Sequence, residues 1–572
     1  MRSLCLAAVA VSVVLAAGCT GTISSSSPRA SGGGAQPPGM TASGGGTSGA
    51  GGGSAPAVEM PSPRLLRQLT TSEYRATVTD LLGLSAPDTT AIPPDVSVDG
   101  FTTNVTGAFV TEAHMDAYAS VATALATRVL ADAGSMTKVV PCTTKDAACA
   151  AKFVSSFGQR AFRRPLTTDE QARYVAFFDP SLTNGDFATG VSLALRAMLI
   201  SPHFLFRSEL GRDAGNGTFT LTPYEIASAL SYTYWGTMPD DALFASAASG
   251  ALATRVEIEK QARRLLADPR GRARVATFFS EWLEAPRAYV ATKDQGTYPA
   301  VFAAPGGLPG VVDSMRAEED AFVTNVVFDS TKKFDELFTA DYTFVDDRLA
   351  AIYGLPAPGS STPTKVALGA GARRGGLLTL GMFLMGHART NESSPTQRGH
   401  MIRANLLCHD VPPPPPGVDA TVKPGTPGKT AREQIEALTG SGTCATCHTL
   451  MNPIGYGLEG FDGTGAERTL DNGEAVDTSG VINDIDPAGP VTFNGPRELS
   501  NFVAKSADAR GCLAAMVHRY TRGFLARDVD EGAVDKLRAA FVGGDLDIPE
   551  LFVQIALQDS FVTRRSADTV DR

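Results

Sequence analysis

The stretch LTTSEYRATVTDLLG, residues 69–83, carries a helix start signal that the chain repeats twice. Thr70 can accept a hydrogen bond from a free backbone N–H of the first helical turn, while Glu73 reaches back to the backbone of Thr70. The other two occurrences are Thr167 with Glu170 in LTTDEQARYVAFF from Leu166, and Thr222 with Glu225 in LTPYEIASALSYTYW from Leu221. These runs predict three capped helices rather than a repeated catalytic pair of Thr and Glu.

Apolar periodicity extends this helical pattern over most of the chain after residue 60. It predicts further helices over residues 113–132, 147–163, 254–267, 311–327, 373–387, 397–407, 430–439 and 510–526. Strand signals are few and short, the best being TFVDD near residue 343 and VTFNG near residue 491. The predicted fold is therefore mainly α, a multidomain helical array with few short strands after a disordered N-terminal tether.

Length and charge limit the classes of partner. A chain of 572 residues with 43% hydrophobic residues can bury several cores, and its length suggests three or four domains. The formal net charge is -10. Nucleic acids and anionic lipid surfaces both favour clustered Lys and Arg, so neither is expected to be the main partner.

The first residues, MRSLCLAAVAVSVVLAAGC, resemble a bacterial lipoprotein signal. Arg2 precedes an apolar run of signal-peptide length, and small residues stand before Cys19. We expect Cys19 to become the lipidated first residue of an exported protein in the cell envelope. Thr20 after the lipidated Cys favours the outer membrane, by resemblance to other lipoproteins.

Composition shifts predict the domain organisation. Residues 20–60 are rich in Gly, Ser and Pro and too poor in large apolar residues to bury a core, which indicates a flexible tether. The predicted segments are the signal peptide 1–18, the tether 19–60, an N-terminal helical module 61–135, a small helical module 136–185, a central helical domain 190–355, a CxxCH module 370–485 and a C-terminal helical module 490–568.

The run GTCATCHTLMNPIGYGLEGFD, residues 442–462, contains the spacing C-x-x-C-H. Two Cys one helical turn apart can reach the two vinyl groups of one porphyrin, and the adjacent His can ligate the iron. The favoured interpretation is covalent haem c on Cys444, Cys447 and His448, with His448 as the iron ligand. A zinc site that adds Cys408 and His409, a dithiol redox pair and a plain disulfide remain as alternatives.

Six Cys remain after Cys5 leaves with the signal and Cys19 is lipidated. An even number is expected of an exported protein. If haem takes Cys444 and Cys447, the others suffice for two disulfides: Cys142 with Cys149, which closes a short loop, and Cys408 with Cys512, which is the remaining pair.

Residues around the motif offer further interactions with haem. The imidazole of His448 needs an acceptor for its second nitrogen, usually a backbone carbonyl. Residues 452–455 could supply it, because Pro and Gly are predicted to end the helix there, and a simple helix terminus is the equal alternative. Met451 lies on the same helix face as His448 and is excluded as a sixth ligand. Candidate sixth ligands are Met382, Met385, His387, His400, Met401, Met516 and His518.

Two interpretations are open for each of the other polar residues near the motif. Glu459 and Asp462, with Tyr456, could act as proton donors or bind a cation, or they could cap the next turn. Arg398 and Arg403 could pair with haem propionates or form surface salt bridges. Hydrolase motifs such as G-x-S-x-G, a P-loop or H-E-x-x-H are missing from the sequence.

From residue 61 onward the chain contains the runs RQLTTSEYRATVTDLLG, AFRRPLTTDEQ, SPHFLFRSEL, FTADYTFVDDRLAAIYGLP, RRGGLLTLGMFLMGHARTNESSPTQRGHMIRANLLC, CATCHTLMNPIGYGLEGFDGTG and MVHRYTRGFLARDVD. In these runs and their order it resembles an uncharacterised bacterial multidomain family, the PSD domains of unknown function that accompany planctomycete cytochromes. This family has no agreed reaction, so the resemblance implies no particular activity. Many relatives carry a separate N-terminal cytochrome c domain, whose place the tether occupies here.

The sequence thus predicts an exported, lipid-anchored c-type haem protein. It would transfer electrons to a redox partner protein, or oxidise a substrate if the iron is open. The competing interpretation is a non-catalytic surface binding or scaffold lipoprotein, in which the C-x-x-C is a disulfide or, alternatively, a zinc site.

Overall fold

Helices dominate the described part of the chain, which confirms the predicted mainly α fold. The structure, a computed structural model, describes residues 59–369, 371–412, 428–485, 488–524 and 531–566. The predicted signal peptide, Cys19 and all but the last two residues of the tether lie outside these ranges. None of the described helices is both long and apolar enough to cross a membrane.

All three predicted capping boxes are confirmed. Each Thr side chain accepts from the backbone of the Glu three residues later, and each Glu accepts from the backbone of its Thr, at Thr70, Thr167 and Thr222. A further box of the same kind at Thr430 and Glu433 begins the helix before the CxxCH run. These local bonds set where the helices begin.

The first half of the chain forms short and medium helices that pack on one another. They are α1 (Thr71–Leu82), α2 (Glu112–Ala131), α3 (Ala133–Val139), α4 (Ala147–Phe162), α5 (Thr168–Val175), α6 (Pro180–Thr183), α7 (Phe187–Leu199), α8 (Pro202–Leu205), α9 (Pro223–Tyr234), α10 (Asp241–Ala248), α11 (Arg255–Ala267), α12 (Pro269–Trp282), α13 (Pro299–Ala303), α14 (Gly307–Thr324), α15 (Phe334–Thr339) and α16 (Asp347–Tyr353).

The second half continues in the same style. Its helices are α17 (Gly381–Gly386), α18 (Pro395–Met401), α19 (Ala431–Thr439), α20 (Gly442–Tyr456), α21 (Gly495–Lys505), α22 (Ala507–Arg522), α23 (Glu531–Gly543), α24 (Ile548–Ala556) and α25 (Asp559–Val562). Single π-helical turns, Asn325–Asp329 and Ile402–Leu406, extend α14 and α18.

Short strands connect distant parts of the chain. They are β1 (Ser62–Pro63), β2 (Leu65–Gln68), β3 (Phe206–Glu209), β4 (Arg212–Gly215), β5 (Thr218–Thr220), β6 (Tyr342–Val345), β7 (Thr364–Ala367), β8 (Leu470–Asp471), β9 (Glu474–Ala475), β10 (Ser479–Ile482), β11 (Val491–Asn494) and β12 (Thr563–Arg565). The two predicted strands are confirmed as β6 and β11.

A four-stranded sheet in the order β1-β12-β5-β4 joins the two ends of the described chain. β1 pairs parallel to β12, and β12 pairs antiparallel to β5. β2 and β3 form a separate antiparallel pair. Sequence analysis missed these strands because segments of two to four residues carry too little periodic signal.

Two hydrophobic cores lie within one compact unit. The N-terminal core includes Tyr74, Tyr118 and Phe153. The larger C-terminal core includes Trp282 and Tyr520. The predicted modules 61–135 and 136–185 share the N-terminal core, residues of 190–355 contribute to both, and the later modules share the larger one. Their boundaries stay predictions.

One detail of the expected layout is wrong. Residues 373–387 do not form one helix, since α17 covers only Gly381–Gly386; Gly375 and Gly376 have positive φ, and a side chain at Gly376 would collide with the backbone of Phe338. Glu59, near the end of the predicted tether, contacts the folded part. Glu59 accepts from the backbone N–H of Ser560 at 2.6 Å and pairs with Lys536 at 2.8 Å.

Disulfides join both predicted pairs of Cys. Cys142 is bonded to Cys149, beside the start of α4, and Cys408 is bonded to Cys512 of α22. The second bond crosses 104 residues of chain and attaches the end of the α18 segment to α22.

Candidate functional site

The CxxCH run lies in the first two turns of α20. Cys444 and Cys447 are therefore one helical turn apart, and both side chains are half-buried free thiols. Cys447 Sγ lies 3.8 Å from the carbonyl oxygen of Pro412. The structure does not join the two thiols, so the disulfide alternative is not formed in it.

His448 has a defined partner on its own helix. Its Nδ1 lies 3.1 Å from Asn452 Oδ1, one turn further along α20. Because an amide oxygen can only accept, Nδ1 donates the proton in this bond, and Nε2 is the nitrogen left to ligate a metal. The expected backbone acceptor is wrong, since residues 452–455 remain within α20, which has Pro453 in its interior and continues to Tyr456.

Asn452 is itself held in place. Its side chain is buried, its Oδ1 accepts from Thr396 Oγ1 at 2.8 Å, and its Nδ2 donates to Thr439 Oγ1 at 3.0 Å. Three neighbouring helices, α18, α19 and α20, thus determine the orientation of the His448 imidazole. An oriented imidazole with one nitrogen bonded is the usual arrangement of a metal-ligating His.

Two glycines allow α18 and α20 to approach backbone to backbone. A Cβ at Gly399 would lie 1.8 Å from the carbonyl oxygen of Met451, and one at Gly455 would lie 1.9 Å from that of Pro395. No other residue type fits at either position without moving a helix. This close packing brings Thr396 within reach of Asn452.

The structure contradicts the zinc alternative, because both of its upstream ligands, Cys408 and His409, have other partners. Cys408 is consumed by the disulfide with Cys512, and His409 Nε2 lies 2.9 Å from Asp508 Oδ2. In the described ranges, three or more His, Cys, Asp or Glu side chains do not converge as a metal-binding group. Within these ranges, Cys444 and Cys447 therefore lack the two upstream ligands of the predicted zinc site.

The acidic residues after α20 act in the fold. Glu459 is buried, and its Oε2 accepts from Ser393 Oγ at 2.7 Å and from Arg468 Nη2 at 2.9 Å. Burial raises the pKa of Glu459, although Arg468 and Arg398 oppose the rise. Asp462 Oδ1 accepts from the backbone N–H groups of Thr464 and Ala466 and closes a turn. These bonds support the capping interpretation.

Arg398 and Arg403 are not placed to pair with propionates or to form surface salt bridges. Arg398 is 0% exposed and donates to four backbone carbonyl oxygens, at 2.7 to 3.3 Å: those of Leu384, Leu458, Phe461 and Asp462. Arg403 is also buried and donates to the carbonyl oxygen of Asn483 at 3.0 Å. Both arginines connect chain segments within the fold.

Most of the candidate sixth ligands lie in the core. Six are buried, namely Met382, Met385, His387, Met401, Met516 and His518, and only His400 is exposed. His387 Nδ1 lies 2.9 Å from the carbonyl oxygen of Phe383, and its Nε2 lies 3.4 Å from Glu284 Oε2. α18, which carries His400 and Met401, packs directly on α20.

The residues present fit a covalent haem. Two half-buried thiols stand one turn apart, and the adjacent imidazole has its Nε2 left for the iron because Asn452 bonds the other nitrogen. Sequence analysis missed Asn452. Its position four residues after His448, on the same helix face, is the signal that could have identified it.

Four family models match separate parts of the chain. They are PSD3, "Protein of unknown function (DUF1587)", residues 67–131; PSD5, "Protein of unknown function (DUF1595)", residues 149–209; PSD4, "Protein of unknown function (DUF1592)", residues 221–355; and PSCyt3, "Protein of unknown function (DUF1588)", residues 374–471. The last range includes the CxxCH run.

No curated protein and no solved structure matches the chain. The family matches follow one another in the order expected from the sequence resemblance and cover both sides of the boundary between the two cores. The chain therefore carries four domains of the planctomycete cytochrome-associated type, whose functions are unknown.

Proposed function

We propose that the protein is a c-type haem protein that transfers electrons or carries out haem-dependent oxidation in the cell envelope. The observation that carries the proposal is the geometry of α20, in which two free thiols one turn apart precede a His whose Nδ1 is bonded to Asn452. The cytochrome-associated type of the four domains supports the same reading.

Each residue has a defined task in this proposal. Cys444 and Cys447 would hold the porphyrin covalently, and His448 Nε2 would ligate the iron. Asn452 keeps the imidazole in one tautomer and one orientation, and Thr396 and Thr439 keep Asn452 in place. Bound haem would supply a one-electron redox centre.

The sixth iron position decides between the two activities. A Met or His there would make the protein an electron carrier, whereas an open position would permit oxidation of a substrate. His400 and Met401 are the strongest candidates, because their helix packs against α20 through Gly399. A redox partner protein is part of either activity.

The site of action is proposed from the N-terminal sequence. A signal peptide over residues 1–18 and lipidation at Cys19 would attach the protein to the envelope, with the outer membrane favoured. The two disulfides support export, because such bonds form in oxidising compartments. Labelling with a radioactive fatty acid, compared between the native protein and Cys19→Ala, tests the anchor.

The haem is tested with a reduced pyridine haemochrome spectrum of the protein purified from its native envelope and denatured. We expect a c-type band that stays with the chain. Cys444→Ala with Cys447→Ala should abolish it. The matched control removes the other closely spaced pair, by Cys142→Ser with Cys149→Ser, and should keep the band.

A native protein without covalent haem would contradict the proposal. The free thiols of Cys444 and Cys447 would then react with a thiol reagent in the native protein, whereas a haem-bound chain protects both sulfurs even after reduction. That result would favour the non-catalytic binding or scaffold protein.

A further inference from the structure

A small cavity beside the β2–β3 pair lies outside the haem-binding region proposed above. Its volume is about 60 Å³, which is room for several water-sized groups. The residues of its wall that matter here are Arg67, Gln68, Asp95, Val96, Phe109 and Arg207. They come from β2, β3 and the segment between α1 and α2.

Two buried arginines face each other at this cavity. Arg67 and Arg207 are direct partners in the antiparallel register of β2 and β3, and they are 5% and 4% exposed. Like charges opposite each other in a sheet are unfavourable, and burial increases the cost. The arrangement therefore needs negative charge near both guanidinium groups.

Glu209 supplies that charge, but it lies within ion-pair distance of Arg67 and acts on Arg207 only from further away. Glu209 lies 3.5 Å from Arg67 and 2.6 Å from Arg564, and Arg67 also donates to the carbonyl oxygen of Thr521. Across the described ranges no carboxylate forms an ion pair with Arg207, and its Nε is buried without a hydrogen-bond partner. Its guanidinium lies 4.7 Å over the ring of Tyr232.

The same cavity also offers acceptors that can take a further hydrogen bond. Gln68 Oε1 is buried without a hydrogen-bond partner. Asp95 stands at the exposed mouth and accepts only from Thr71, at 2.8 and 3.0 Å from its backbone N–H. Partial burial and the neighbouring carboxylates of Glu73 and Glu281 raise the pKa of Asp95 to about 6.

The other charged groups at the cavity are already paired. Glu73 lies 2.9 Å from Arg274, and Glu281 accepts from the backbone and hydroxyl of Thr102, each at 2.9 Å. The groups that can still bind a ligand are therefore the Arg207 guanidinium inside the cavity, Gln68 Oε1 beside it and the Asp95 carboxylate at its mouth. Such a set matches a ligand that carries both a carboxylate and an ammonium group.

We propose that this cavity binds a free α-amino acid, with its carboxylate on Arg207 and its ammonium group on Asp95 and Gln68 Oε1. A simple anion would lie near the carboxylate of Asp95 and would offer no donor to Gln68 Oε1. The wall also includes Val96 and Phe109, which are 49% and 58% exposed. An amino acid with an apolar side chain would cover them and remove their apolar surface from water.

The test is calorimetric titration of the full-length protein at pH 7.5 with L-leucine. 4-Methylpentanoate, which lacks the ammonium group, and 3-methylbutylamine, which lacks the carboxylate, are titrated in parallel. We expect leucine to bind and each analogue to bind at least about tenfold more weakly, since each lacks one charged hydrogen-bond set.

Two variants assign the contacts. Arg207→Gln should weaken leucine binding about tenfold or more, and Asp95→Asn should do the same by removing the opposite charge. The matched controls are Arg212→Gln and Asp116→Asn, which change exposed residues of β4 and α2 and should leave binding unchanged. Because Asp95 is exposed, its variant reports on the site even if Arg207→Gln does not fold.

Two results would overturn the proposal. One is the absence of leucine binding up to about 10 mM, the weak end of specific affinities. The other is equal binding of leucine and 4-methylpentanoate, which would show a plain carboxylate site. Both results are independent of haem, so neither bears on the redox function.

Discussion

Two buried arginines, Arg398 in the packing of α18 on α20 and Arg207 in the cavity beside β3, differ in how their hydrogen bonds are completed. Arg398 donates to four backbone carbonyl oxygens and lies 3.5 Å from Glu459. The structure gives Arg207 an aromatic ring and no ion pair within the described chain. Both are equally withdrawn from water.

The difference separates a structural charge from one that can receive a ligand. Arg398 is tolerated because both of its terminal nitrogens donate to the protein, although its Nε is buried without a partner, and these bonds tie segments together. A guanidinium whose donors are open carries an uncompensated desolvation cost, which a ligand can offset. Around α20, the groups proposed to receive a ligand are the two thiols and His448 Nε2. Beside β3, they include Arg207 and Gln68.

The largest effect is expected from Arg398→Met. The change leaves four carbonyl oxygens without their donor and leaves Glu459 Oε1 without its nearest cation. We expect the free energy of unfolding to fall by about 3–5 kcal/mol, the usual cost of breaking a buried charge pair. Urea denaturation followed by circular dichroism measures it.

The same substitution at Arg207 sharpens the comparison. Arg207→Met removes a like charge opposite Arg67, and it loses the contact with Tyr232 and a longer-range attraction to Glu209. Without ligand, we expect the free energy of unfolding to change by no more than about 1 kcal/mol. Equal destabilisation by both substitutions would mean that Arg207 is structural, and the distinction between the two arginines would not hold.

His518 tests the distinction between buried groups with and without hydrogen-bond partners. It is buried, and neither of its ring nitrogens is bonded. Burial, with Arg522 and Arg519 nearby, lowers its pKa to about 3. The unfolded chain therefore binds a proton near pH 6.5 that the folded protein does not bind, and stability falls as the pH falls from 6.5 towards 3. This residue is expected to act as a neutral packing group.

The substitution His518→Phe tests that expectation. For the native protein, we expect His518 to account for about 2 kcal/mol of the stability lost between pH 7 and pH 5. Between pH 7 and pH 5 the free energy of unfolding of the variant should therefore fall by about 2 kcal/mol less than that of the native protein. Urea denaturation at both pH values measures the difference. An unchanged pH dependence would show that His518 is charged or bonded in the folded state.

A small effect is expected from Asn452→Ala, which removes the acceptor of His448 Nδ1 and the partner of Thr396 and Thr439. We expect a loss of about 1 kcal/mol in the free energy of unfolding. In the proposed haem protein, the weaker donor imidazole should also shift the midpoint potential to more positive values. Redox titration with spectral detection measures the shift.

Asn501→Ala, at an exposed position of α21, is the control for this change. It should leave both stability and potential unaltered. A midpoint potential that is the same in Asn452→Ala and in the native protein would show that Asn452 does not act on the iron ligand.

The local features of this protein were predictable from short stretches of sequence. The capping boxes at Thr70, Thr167 and Thr222 form because the cap and its partner are three residues apart. The C-x-x-C-H spacing likewise places its thiols one turn apart in any helix. The two disulfides join the pairs that counting of the cysteines had left.

Tertiary structure decided what those local features contact. From the sequence, a surface salt bridge was one expectation for Arg398. In the structure, the carbonyl oxygens of Leu384, Leu458 and Asp462 accept its hydrogen bonds in the protein interior. Arg67 and Arg207, 140 positions apart, oppose each other only because β2 pairs with β3 in one register. Sequence determines bonds that close within one or two helical turns, whereas bonds between distant segments depend on how the helices and strands pack.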